Sequence, residues 1–337
     1  MKSLTLLLLA CGAALTAVTD GGYQVLKKIH VPGNGSWDYL TVDAGAHRLY
    51  VSHGTAVDVI DLASGSVAGK IENTKGVHGI AVAPEVGRGF TSNGGASTVT
   101  VFDLKTLKPI TDVPTGNGPD AIIYDPATKR VFAYNAHGES ATVINAADAT
   151  VAGTIKLEGA PEFSASDGRG NVFVNLEDKH EVLKIDARQM TVTARWPLAP
   201  CQSPSSMAMD QKNGRLFIGC RNHLMAVVNA GNGRVLTTMP IGDHVDAAAF
   251  DRERRLIFQS CGDGTISVFH QDSPDAYTAV ETVKTQPGAK TMALDQTTHR
   301  LYLSTAEYGP RPAEASGKAG GRAPVLPDSF TVLVVGK

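Results

Sequence analysis

Short apolar runs of alternating character recur along the whole chain, separated by polar turns, and nowhere is a helical period sustained. Each unit reads alike. An apolar run ends in an Asp-type turn, a second run with a Leu-Tyr-Val-like core follows, then a Val-Ile-Asp-like strand, then a fourth run such as Ser66 to Ile71. Val57-Asp58-Val59-Ile60-Asp61 and Val99-Thr100-Val101-Phe102-Asp103 put β-branched or aromatic residues on alternate sides, as a strand packed between neighbouring sheets requires. The turn positions are Asp43, Ala83, Asp125, Asp167, Asp210, Asp251 and Asp295. Six steps carry position 43 to position 295, a mean period of 42 residues, which is the length of a four-stranded propeller blade. The pattern predicts an all-β chain folded as a seven-bladed β-propeller.

The two ends of the pattern fit together. Phe330 to Val335 reads as a third strand, after which too little chain remains for a fourth. Tyr23 to Val31 has the fourth-strand pattern of Val235 to Ile241 and precedes the first complete repeat. The N-terminal strand is therefore expected to complete the last blade, removing two exposed sheet edges. A length of 337 residues would otherwise suggest two domains, but blades bury their faces only against neighbours, so residues 21–337 read as one closed, monomeric ring. The seventh repeat carries an insertion over 306–327, rich in Pro, Gly and Ala, with Tyr308, Arg311, Lys318 and Arg322 as its aromatic and cationic groups. It reads as a lid over the channel or an arm for a partner.

Composition adds limits. Net charge is −2 with 19% charged residues, so no global basic field is present to hold a phosphate backbone, and nucleic acid is a poor first partner. Residues 1–20 read as an export signal: Lys2, an apolar Leu4 to Ala17, then small residues. That stretch is too short for a comfortable membrane span, so the mature chain is expected in the periplasm or outside the cell, with no transmembrane span. Leu8-Leu9-Ala10-Cys11 also resembles a lipoprotein box, leaving open a lipid anchor through Cys11 or a Cys in a discarded signal. Cys201, Cys220 and Cys261 remain, an odd number in an exported chain. Cys201 and Cys220 could form a disulfide, and equally the cysteines could join a metal site.

The phrase RLYVSHGTAVDVIDLASGSVAGKI, repeated in variants such as Phe132-Ala133-Tyr134-Asn135, resembles the YncE-like, YVTN-repeat family of exported seven-bladed propellers, with Tyr50-Val51-Ser52-His53 at the core position. WD40 and kelch signatures are missing. The resemblance implies a binding or scaffold role with a poorly defined ligand.

The turn loops between first and second strands, such as Asp43 to Arg48 and Asp125 to Arg130, read as structural, with Asp bonding its own turn and the closing Arg or Lys simply solvated. Function is expected on the opposite face. Five residues before each turn position stand Asp38, His78, Asp120, Glu162, Ser205, Asp246 and Lys290. They should gather at the mouth of the central channel, a set able to hold a cation or a small polar ligand. His53, His137, His180, His223 and His244 are assigned to the same side. His53, His78, Glu162 and Asp246 are the metal candidates, with a divalent cation as the implied cofactor. Glu162, Asn93, Asn135 and Asp246 also resemble, in residue type alone, the Glu, two Asn and Asp of propeller lactonases. No G-x-S-x-G, H-E-x-x-H or P-loop occurs. The leading expectation is a non-catalytic binder of a small polar ligand, metal ion or protein partner. The alternative is a cation-dependent hydrolase or lyase with His53 or His78 as general base.

Overall fold

Seven four-stranded antiparallel sheets stand in a ring in the computed structural model, which describes residues 21–310 and 323–337. Blade 1 is built from Leu40–Asp43, Arg48–His53, Ala56–Asp61 and Ser66–Ile71, in sequence order from the channel outward. Blades 2 to 6 repeat that order, their inner strands being Val77–Ala83, Pro119–Asp125, Pro161–Ser166, Pro204–Asp210 and Val245–Asp251. Blade 7 has Met292–Asp295, Arg300–Thr305 and Thr331–Gly336, with Gln24–His30 as its outermost strand. Closure by the N-terminal strand is thus as the pattern predicted, with Lys28 opposite Leu333 and His30 opposite Thr331.

The middle strands of every blade are almost wholly buried because both their faces meet neighbouring sheets. Outer strands alternate or are exposed, as in Thr191–Pro197. The closing strand is held by more than its ladder. Tyr23 packs edge-on against Phe258 with ring centroids 5.1 Å apart, and Ile29 and Val31 are buried with Phe330, Val332 and Val334.

Six of the seven turn positions behave as expected. Asp43, Asp125, Asp167, Asp210, Asp251 and Asp295 each accept backbone N–H bonds from the turn that follows, for example Thr128 N to Asp125 Oδ2 at 2.9 Å. Where Ala83 stands instead, a 3-10 turn over Pro84–Val86 does the job. The closing Arg residues are a correction: they are not simply solvated. Arg48 Nη1 donates to the Leu104 carbonyl of blade 2, Arg88 Nη1 to Ala146 of blade 3, and Arg130 Nη1 to Ala187 of blade 4, the last at 2.9 Å. Each guanidinium satisfies a carbonyl beyond the next blade's third strand, which gives the repeat a reason to keep Arg there.

Residues 1–20, which include Cys11 and the stretch expected to be an export signal, and residues 311–322 lie outside the described residues. Among those described, no helix is long and apolar enough to cross a membrane. The stem of the seventh-blade insertion is described: Tyr308 pairs with Val325, and Gly309 N donates to Pro324 O at 2.8 Å.

Candidate functional site at the channel mouth

The mouth is assembled by a second set of bonds between blades. Serines one before the end of second strands reach the backbone of the ring positions. Ser92 Oγ donates to the Asp120 carbonyl of the next blade, Ser260 Oγ to that of Lys290 at 2.5 Å, and Ser304 Oγ to that of Asp38 at 3.2 Å. Ser52 Oγ accepts from Asp38 N at 2.8 Å. With the main chain so fixed, the side chains of adjacent blades are pointed at one another.

They do converge. His78 Nδ1 lies 2.7 Å from Asp38 Oδ2 and 3.5 Å from Asp120 Oδ1, so one imidazole bridges the carboxylates of the blades on either side. Ligand atoms of these three residues all lie within 4.8 Å of one another. Lys290 Nζ contacts Asp246 Oδ2 at 2.5 Å. Ser205 instead turns its hydroxyl to the Val245 carbonyl and is buried. Next to the Lys290–Asp246 pair is a cavity of about 470 Å³, lined by both and by Arg221, Asp243 and His244.

Burial and like charge dominate the electrostatics. Burial, then the Asp38 charge, pushes the Asp120 carboxyl up to about 6, against the opposing pull of His78. Glu162 is raised further, by burial, by the Asp120 charge and by a hydrogen bond to the Glu177 carboxyl. Asp246 is also raised, because its burial outweighs the attraction of Lys290. His78 is raised chiefly by its bond to Asp38, with burial opposing. Burial lowers Lys290, but Asp246 more than restores it.

Two members of this cluster escaped the sequence reading. Glu177 faces Glu162, and Arg221 Nη1 pairs with Glu177 Oε1 at 2.9 Å. Both stand directly after their second strand, where the other blades have Gly54, Gly94, Ala136, Gly262 and Ala306. The small residues leave room for the mouth: a Cβ on Gly94 would come within 2.9 Å of the His78 ring. A Glu and an Arg at two consecutive repeats, against small residues at the other five, was the available signal.

His53, Asn93 and Asn135 turn away from the mouth, which corrects the sequence reading. His53 is buried inside blade 1, its Nδ1 2.8 Å from Asp58 Oδ2 and its ring 4.5 Å from that of Phe330. The Asn93 amide donates to Thr98 and Thr100 and that of Asn135 to Ser140 and Thr142. These residues tie second strands to third strands within a blade, so the four-residue lactonase-like set is not brought together. Asn at intervals of five and seven before Ser or Thr, repeated in two blades, marked that role in the sequence. His180 accepts from Ser203 N at 2.9 Å, while His223 and His244 pair with Asp243.

Cys201 and Cys220 form a disulfide with Cα atoms 5.6 Å apart, bracing the loop into blade 5. Cys261 is a free, buried thiol, pushed up to about 12 by burial, which makes it a poor nucleophile. The insertion stem stands at the mouth side: Tyr308 lies 6.4 Å from Trp37 and feels the Lys290 charge.

No known family's sequence profile matches the chain, and no curated protein matches it by sequence. Solved structures do match in shape. A chain of the Kuenenia stuttgartiensis hydrazine synthase superposes with a TM-score of 0.71 at 15% identity, covering 81% of this chain and 92% of that one. A chain of the mitotic checkpoint complex gives 0.74 at 14% identity, covering 90% and 95%. The WD40 repeats of RRP9 give 0.75 at 10% identity, covering 93% and 97%. At these identities the likeness establishes the fold alone: this chain is a seven-bladed β-propeller of WD40-like architecture without the WD40 sequence signature.

Proposed function

We propose that the chain is an exported, YncE-like binding protein whose channel mouth takes a small polar ligand bearing a positive charge, or a metal ion. The observation that carries this is the balance of the mouth. Five carboxyls, Asp38, Asp120, Glu162, Glu177 and Asp246, face three cationic groups, His78, Lys290 and Arg221, and three of the acids are raised by burial. An arriving cation replaces protons on groups that the fold leaves short of positive charge. Blade repeats and ring closure support the family, the disulfide supports an oxidising compartment, and the insertion stem beside Lys290 supports contact with a partner or lid.

The test is calorimetric titration of the full chain with Ca²⁺, Zn²⁺ and putrescine in two buffers of different ionisation enthalpy. At least one probe is expected to bind saturably with proton release, and Glu162→Gln is expected to remove the release. No saturable binding by any of the three overturns the reading.

A second reading rests on the tight Asp38, His78 and Asp120 group, in which the two carboxylates would hold a divalent cation for hydrolysis and His78 would act as base. His53 no longer fits that role, because its ring is enclosed within blade 1. Cation-dependent cleavage of a lactone that fails in Asp120→Asn would put this reading first. Binding without turnover leaves the binder ahead.

A further inference from the structure

Charge at the mouth is unevenly spread around the ring. Asp38, His78, Asp120 and Glu162 introduce blades 1 to 4, whereas the two permanent cations, Arg221 and Lys290, belong to blades 5 and 7. Both cations face the cavity of about 470 Å³ that they share with Asp243, His244 and Asp246, a volume suited to a small molecule.

Arg221 is held in place from behind. Cys220 before it is tied to Cys201, and Arg221 N donates to Ser203 O at 3.1 Å. Asn222 after it accepts from Gln202 N at 3.0 Å and donates to the Pro200 carbonyl at 2.9 Å. The guanidinium is half exposed and pairs through Nη1 with Glu177; among the described residues its Nε and Nη2 make no ion pair or hydrogen bond. Lys290 Nζ, with three protons to give, contacts only Asp246 among them. Burial, and with it the Arg221 charge, works against the Lys290 proton, which Asp246 restores. Two cations with donors to spare over one cavity suit an anion, and a planar guanidinium fork suits a carboxylate. The other side of the mouth is short of donors. Asp120 Oδ1 is buried without a hydrogen-bond partner, His78 Nδ1 standing 3.5 Å away. An unpaired buried carboxylate oxygen costs stability that an arriving N–H donor restores.

We propose that the mouth binds a zwitterion, its carboxylate on Arg221 and Lys290 and its ammonium group on Asp120 and Glu162. The inference rests on the cation reading above and adds the anionic end of the ligand. Because the two sets of residues stand on different blades, the ligand's charges are separated by a chain of several carbons, as in an ω-amino acid.

Three matched probes test this by calorimetric titration of the full chain: 6-aminohexanoate, pentylamine, which lacks the carboxylate, and hexanoate, which lacks the ammonium group. 6-Aminohexanoate is expected to bind at one per chain and at least tenfold more tightly than either truncated probe, each having lost a charge-assisted contact. In variants that keep the parent circular dichroism, Arg221→Gln should shrink its lead over pentylamine to under twofold, and Asp120→Asn its lead over hexanoate. A smaller lead over pentylamine in the parent chain, or one that survives Arg221→Gln, overturns the anionic end, and saturable pentylamine binding then leaves the cation reading standing. Hexanoate binding as tightly as 6-aminohexanoate overturns the ammonium end. Failure of 6-aminohexanoate to bind overturns the inference, and the cation reading falls with it only if pentylamine, Ca²⁺, Zn²⁺ and putrescine fail as well.

Discussion

The turns of one face and the buried carboxyls at the mouth of the other treat the same chemical group in opposite ways. On the turn face, backbone and hydroxyl donors from the next few residues hold Asp61, Asp103 and Asp148 below the usual carboxylate range, and similar donors overcome the burial of Asp167. At the mouth, Asp120, Glu162 and Asp246 are pushed above it. The cause is the supply of donors. A tight turn points several free N–H groups at its first residue, whereas the chain crossing into an inner strand has its amides already engaged with the adjoining strands and blades. Turn-face carboxylates therefore stabilise the ring, and mouth carboxyls cost it stability. Groups that a fold keeps at a cost are candidates for function.

The comparison can be broken at several strengths. Deleting Gly22 to Pro32 removes Tyr23, Ile29 and Val31 from the core and should cost about 6 kcal/mol at roughly 2 kcal/mol per buried side chain. The opened edges should promote association, seen by light scattering. A deletion variant that stays monomeric with unchanged melting would show that closure is not what holds both faces. Replacing Cys201 and Cys220 by Ser opens a loop of 19 residues' separation, for which about 3 kcal/mol is expected in urea unfolding. The loss should be accompanied by weaker ligand binding at the mouth, because the loop lies there.

Asp251 sharpens the turn-face side. It is fully buried, caps Glu253 N and Arg254 N, and pairs with His299 at 2.7 Å. Asp251→Ala should cost about 2 kcal/mol at neutral pH. A loss below a few tenths would remove the claim that these turns are structural.

Glu162→Gln gives an effect of the opposite sign, visible only above the ordinary carboxylate range. With its folded-state pKa raised, Glu162 binds its proton more tightly in the folded state than in the unfolded one. Its stabilising contribution is complete below the unfolded value and is lost as pH rises toward the folded one. Gln mimics the protonated acid at all pH values. The variant should therefore match the parent near pH 4 and become progressively more stable than the parent as pH rises to 8. Parent and variant with identical stability profiles over that range would put Glu162 in an ordinary environment.

How much of this was legible follows from the period. Positions that repeat in every blade, the turn Asp residues, the second-strand cores and the closing strand, could be placed from the sequence because seven copies average out local variation. The inter-blade bonds of Arg48, Arg88 and Arg130 could not, since a partner one blade away leaves no trace in the hydrophobic pattern. His53, Asn93 and Asn135 were misplaced for a related reason. The end of a second strand does lie on the mouth side, but those side chains turn into the blade toward third-strand partners. Glu177 and Arg221 were visible only as departures from a small-residue position, a signal that gains meaning once Gly94 is seen against His78.

The most direct test of the central claim, that the mouth stores protonated carboxyls for an arriving cation, is the titration of Glu162 by carbon-13 NMR of the side-chain carboxyl, assigned with Glu162→Gln. The account predicts a carboxyl still protonated at pH 7 that loses its proton when a mouth cation binds. A Glu162 that titrates in the ordinary glutamate range near 4.3, with or without cation, would contradict it.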